Sequence, residues 1–252
     1  MLGLEFPPIS ELVEWKSFGP GGLNKVGLIY VVSALLTIAF FMTAVAKGRK
    51  QRVPTGVAAI AESSVDFVRN QIIMQTMGTE GMVYLPLLAT MFFFIFFSNI
   101  FEIIPGVQFP ANARIAMPIV LALLVWLIFN VAGIVKQGPI QYFKGILFPP
   151  GVPKALYLLV TPIELVSTLL VRPLSLSVRL FANMLAGHLI LATFAVLSAA
   201  LFSASISIVV MPFSFLLLVF LMGFEILVSF LQAFIFTILA AVYIGGAVHP
   251  EH

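Results

Sequence analysis

A chain of 252 residues that is 61% hydrophobic and only 9% charged cannot be an ordinary soluble domain, where roughly a quarter of residues carry charge. It reads as an all-α integral membrane protein, and its net charge of +3 does not signal nucleic-acid binding, because the basic residues flank apolar spans instead of forming one patch. With no cysteine, disulfides, thiolate metal sites and thiol catalysis are excluded; no metal and no cofactor is expected.

Residues 1–25 hold Glu5, Glu11, Glu14, Lys16 and a Gly-Pro-Gly-Gly turn at 19–22, and read as a polar arm without the basic and apolar regions of a cleaved signal peptide. Val26 to Ala46 is free of charge and, at about 1.5 Å per residue, long enough to cross a hydrocarbon core of about 30 Å. Lys47, Arg49, Lys50 and Arg52 follow at once. That cluster places this end in the cytoplasm and the N-terminal arm outside.

Over residues 55–76 the pattern changes. Val57, Ala61, Val65, Val68 and Ile72 recur at helical spacing, with Glu62, Ser63, Asp66, Arg69 and Asn70 on the other face. This predicts an amphipathic helix at the cytoplasmic membrane face; a helix packed on the protein's own core demands the same pattern. Two further spans follow, 82–101 and 115–135. Asn99 and Glu102 sit three apart at the end of the first, hence on one face. The linker 103–114 carries only Arg114 and is expected outside; Lys136, Lys144 and Lys154 place 136–154 inside.

Residues 155–200 and 206–248 are apolar stretches that would run about 69 and 64 Å as helices. Each is too long for an upright crossing, so each is strongly inclined or is broken at Pro162, Pro173 or Pro212. The short 202–205 turn and the lack of other polar linkers favour a hairpin of two long sloping helices, making about five crossings within a single membrane domain, 1–252, whose C-terminus is cytoplasmic.

Arg179 lies inside the first of these stretches, where an arginine costs at least about 2.5 to 3.5 kcal/mol. Counted at about 100° per residue, Glu164, Arg172, Ser175 and Asn183 share its stripe, and His188 falls on the opposite face. Ala182, Ala186 and Gly187 leave room for another helix to approach. In the last helix Glu225, Ser214, Ser229, Gln232 and Tyr243 again share one face. Depth separates the ionisable groups: Glu164, Arg172, Ser175 and Tyr243 lie toward the cytoplasm, and His188, Glu225, Asn99 and Glu102 toward the outside. Two polar paths that each end partway across suit protons handed to another group at mid-membrane, with Arg179 between them.

Arg179-Leu-Phe-Ala-Asn-Met-Leu-Ala-Gly-His188 and Leu231-Gln-Ala-Phe-Ile-Phe-Thr237, with Ser98-Asn-Ile-Phe-Glu102 and Pro162-Ile-Glu-Leu-Val-Ser167, resemble subunit a of F-type ATP synthase from about residue 26 onward. The resemblance implies a stator subunit in a bacterial inner membrane. Its partners would be a rotating c-subunit ring, b-type peripheral stalk subunits, lipid and protons, with no nucleic acid and no small-molecule substrate. It would be a proton-translocating subunit, not an enzyme on its own. Arg179 would correspond to the essential stator arginine. Asn183 and Gln232 would be its polar neighbours, and His188 with Glu225, Asn99 and Glu102 would line the outer half-channel. Glu164, Arg172, Ser175 and Tyr243 would line the inner one. A secondary transporter is the rival class, but no second half resembles the first; a purely structural membrane subunit would tolerate neutral replacements at Arg179, Glu225 and His188.

Overall fold

The computed structural model describes residues 24–48, 55–104, 107, 109–148, 153, 156–203 and 211–248. Residues 1–23 of the N-terminal arm, residues 49–52 of the basic cluster, Lys154 and the 204–205 part of the expected turn lie outside them. The helices are α1 (Lys25–Gly48), α2 (Val57–Phe67), α3 (Leu85–Ile100), α4 (Ala116–Gln137), α5 (Pro139–Leu147), α6 (Tyr157–Val166), α7 (Arg172–Ser203) and α8 (Met211–Val248). A π turn over Val68–Ile73 prolongs α2, a 3₁₀ stretch over Gly78–Tyr84 precedes α3, and a second π turn, Ser167–Val171, joins α6 to α7. No strand occurs among the described residues.

Among the described residues, five segments are long and apolar enough to cross a membrane: Lys25–Ala46, Gly78–Ile100, Ala116–Gln137, Tyr157–Ala199 and Pro212–Val248. The last two, of 43 and 37 residues, would span about 64 and 56 Å, twice an upright crossing. Neither proline inside the first of them breaks it.

The reason at Pro173 is local. The Arg172 N–H reaches back five residues to the Ser167 carbonyl, as a π turn requires. Pro173 has no N–H to offer, which leaves the Thr168 carbonyl short of a backbone donor. The indole Nε1 of Trp126 on α4 supplies one at 3.2 Å. Such a turn also inserts about one extra residue, so the uniform 100° count that set Glu164 on the stripe of Arg179 does not hold across it.

Contacts divide the chain into two compact units. The first comprises residues 1–39, 93–114 and 180–233. Val26 and Ile29 of α1 pack there with Phe109 and Ala111, flanked by Tyr30, Phe101 and Val107. Where α1 buries hydroxyls, it satisfies them within itself: Ser33 donates to the Ile29 carbonyl and Thr37 to the Ser33 carbonyl, each at 2.8 Å. Ser198 of α7 and Ser214 of α8 meet at 2.8 Å, a buried interhelical hydrogen bond.

Residues 40–92, 115–179 and 234–252 form the second unit. The amphipathic helix packs its apolar face on the protein's own core. Ala58, Ala61, Val68, Ile72 and Ile73 are buried, and Glu62, Ser63, Asp66, Arg69 and Asn70 are exposed. Val57, expected on the apolar face, is also exposed. The segment 136–154, expected only as a loop, contains α5. Gly138 adopts φ +83, which ends α4, and Pro139 opens α5 in the first-turn position where its missing N–H costs nothing. α5 folds back so that the Tyr142 ring covers Gly133, whose missing side chain makes the space. The Tyr142 hydroxyl donates to Asn130 Oδ1 at 3.0 Å, and Asn130 Nδ2 to the Trp126 carbonyl at 2.6 Å. At the end of α4, Gln137 Nε2 donates to the Ala247 carbonyl of α8 at 2.7 Å.

Candidate functional site

In the first unit the end of α3 meets α7 and α8. Asn99 and Glu102 are each 2% exposed, so the polar end of α3 is not a headgroup-facing cap. Nδ1 of His188 stands 3.4 Å from Oε1 of Glu102, an ion-pair separation longer than a well-formed hydrogen bond, and that oxygen has no hydrogen-bond partner. Burial pushes the Glu102 carboxyl above its usual range, and His188 opposes the shift. Glu225 does not take the place of Glu102 here. Its carboxylate lies against Gly187, where any Cβ would collide with it. Asn99, Asn183, Glu225, Ser229 and Gln232 line a gap of about 10 Å³, closed by Leu180, Met184 and Val228. That is at most about the volume that admits one water. The Gln232 amide nitrogen is buried there and also lacks a partner.

A far larger space lies in the second unit. Glu164 of α6, Thr168 of the π turn and Arg172 of α7 line a cavity of about 860 Å³ together with Gln137, Tyr142 and Lys144. The Arg172 guanidinium faces two rings, Tyr243 at 5.4 Å and Phe129 at 5.9 Å, so its charge is held by cation–π contact. Burial pushes the Tyr142 phenol up, and the charge of Arg172 opposes that. Ser175 and Tyr243 do not line this cavity, although Tyr243 reaches its rim through Arg172. Spacing offers no signal for Thr168, Gln137 and Tyr142; Gln137 ends α4 and Tyr142 lies in α5, both within the 136–154 segment expected as a loop.

Arg179 ends the 115–179 stretch of the second unit, and Leu180 begins the next stretch of the first. Because α7 is unbroken, Ser175 and Asn183 one turn on either side share its face. Its side chain is exposed, and it forms no ion pair among the described residues.

Residues 28–245 match the family model described as ATP synthase A chain. The chain belongs to this family. Within it, the chain is 41% identical to ATP synthase subunit a of Frankia alni over 258 residues, covering 99% of this chain and 88% of that one. It is also 41% identical to ATP synthase subunit a of Rhodococcus erythropolis, over 98% of this chain and 88% of the relative. The relative from Parafrankia is 39% identical, with 96% and 83% covered. Family and apolar helices together make the chain a multi-pass membrane protein.

Proposed function

We propose that this chain is the stator of an ATP synthase membrane motor, conducting protons through two offset half-channels to and from carboxylates on a rotating c-subunit ring. The observation that carries the reading is Arg179: exposed on a long apolar helix, with no ion pair among the described residues. An arginine within a bilayer needs a partner. When this chain does not supply one, a carboxylate on a neighbouring subunit does.

The two polar sets support this. Asn99, Glu102, Asn183, His188, Glu225 and Gln232 all fall in the first unit, whereas Glu164, Arg172, Ser175 and Tyr243 fall in the second. In the outer half-channel, His188, Glu102 and Glu225 relay protons, and the Gln232 amide nitrogen, which lacks a hydrogen-bond partner, is the polar atom that water serves once the gap widens. The inner half-channel is the cavity holding Glu164 and Arg172.

Electrostatics then couple flow to rotation. A unit charge pair at 4 Å and an effective dielectric near 20 is worth about 4 kcal/mol, roughly three pKa units. Arg179 therefore keeps a passing ring carboxylate ionised, so that it releases its proton to the inner path before taking another from the outer one. The fixed positive charge also blocks a direct leak between paths. The protein sits in a bacterial inner membrane with its N-terminus outside and C-terminus in the cytoplasm, and peripheral stalk subunits hold it against the ring's torque.

Because the chain has no cysteine, an introduced thiol reports without background. A cysteine at Val178, exposed beside Arg179, should crosslink to a cysteine placed near the ring carboxylate of a c subunit in the assembled complex. Crosslinks to stalk subunits alone, with none to c, would overturn the reading.

A further inference from the structure

Asn112 is fully buried, although the described stretch around it, Phe109 to Ala113, is otherwise apolar. An amide sequestered that way costs free energy unless its hydrogen bonds are made, and here they are. Its Nδ2 donates to Ser98 Oγ at 2.9 Å and to Asn99 Oδ1 at 2.6 Å. Ser98 in turn donates to the Ile95 carbonyl at 2.9 Å. On the other side, the Tyr30 hydroxyl lies 2.9 Å from Asn112 Oδ1 and 2.8 Å from the Ala111 carbonyl. One side chain from the loop thus binds α1 to the end of α3. Every atom of this network lies in the same compact unit.

The consequence falls on Asn99. Its amide is caught on one side by Asn112, and its side chain lines the gap that also holds Asn183, Glu225 and Gln232. We infer that Asn112 is a positioning residue of the outer half-channel: it fixes the rotamer of Asn99 toward Glu225, and Tyr30 fixes Asn112. Asn112 does not itself line the gap, which it meets only through Asn99, and it carries no proton. The inference rests on the proposed role of Asn99 in that channel.

The test is a double-mutant cycle in the intact ATP synthase in native membranes, reading ATP-driven proton pumping normalised to the amount of this chain that copurifies with the c ring. Asn99→Ala and Asn112→Ala should each lower pumping by about tenfold, a loss in keeping with a misplaced channel group. The double variant should pump no worse than Asn99→Ala, because a residue that acts only through Asn99 has nothing left to position. Independent losses that multiply in the double variant would overturn the inference, since a merely structural residue behaves that way. Asn112→Ala at wild-type rate, with Asn99→Ala impaired, would overturn the inference and leave the channel reading standing. Asn99→Ala at wild-type rate would sink both. If Asn112→Ala fails to assemble, Tyr30→Phe serves: it removes one hydroxyl, should lower pumping about threefold in the native background, and should do nothing further beside Asn99→Ala. A Tyr30→Phe loss of the same size in both backgrounds would overturn the inference.

Discussion

Gly187 and Glu225 make the sharpest separation between structural and functional cost. A Cβ at Gly187 would stand 2.5 Å from Glu225 Oε1, 2.8 Å from Cδ and 2.9 Å from Oε2. Ordinary contact begins at 3.4 Å, so the Gly187→Ala variant must push the carboxylate away by about 0.9 Å. The displaced atoms are the end of a flexible side chain, which keeps the stability loss near the bottom of the overpacking range, about 1 kcal/mol. Function is less forgiving. A misplacement of about 1 Å in a reacting group can lower a rate by up to about a hundredfold. Gly187→Ala should therefore assemble normally and shift the complex's melting temperature by only a few degrees, while proton-driven ATP synthesis falls at least about tenfold. Stopped-flow or steady-state synthesis in inverted membrane vesicles, paired with a melting curve of the purified complex, measures both. Wild-type synthesis at a normal melting temperature would refute the placement of Glu225 on the proton path.

Gly133→Ala sets a methyl group into the Tyr142 ring, which is itself buried, and should destabilise the complex by about 1 to 3 kcal/mol in a denaturation curve. Trp126→Phe leaves the Thr168 carbonyl without its indole donor and should cost about 1 to 3 kcal/mol, read as a lowered melting temperature of the purified subunit complex. Glu102 gives a pH signature. Its folded carboxyl is raised above the ordinary 4.5, so the folded chain holds this proton more tightly than the unfolded one. Stability from this group is greatest below about 4.5 and declines as pH rises until the folded group ionises too, above which it is flat. Glu102→Gln should remove that decline, and melting curves of variant and native complex taken across pH should converge at low pH and part on raising it.

Much of the fold could be read in advance because lipid imposes simple length and hydropathy rules. The charge-free run after Val26, the alternation of polar and apolar faces over 57–76 and the excess length of the last two helices each translate directly into an observed element. What escaped were features set by single backbone groups. Nothing in the periodicity announces that Pro173 will be absorbed by a π turn whose stranded carbonyl is met by Trp126, forty-two positions away. Helix α5 is too short and too mixed to stand out, and its place depends on Gly133 having no side chain to obstruct Tyr142. The candidate site shows the same division. Rare polar residues in apolar helices drew attention to Arg179, His188 and Glu225, but which pairs form is a matter of rotamers. His188 meets Glu102, and Glu225 meets the bare backbone of Gly187. Asn112, in a loop with no periodic pattern, gave no signal at all.

The most direct measurement is proton-driven ATP synthesis by the complex carrying Arg179→Ala, in membranes shown to contain the assembled variant. The expected result is no coupled synthesis, because ring carboxylates lose the cation that keeps them ionised between the two paths. Synthesis at the native rate would contradict the role of Arg179, and with it the coupling of proton flow to rotation at this helix.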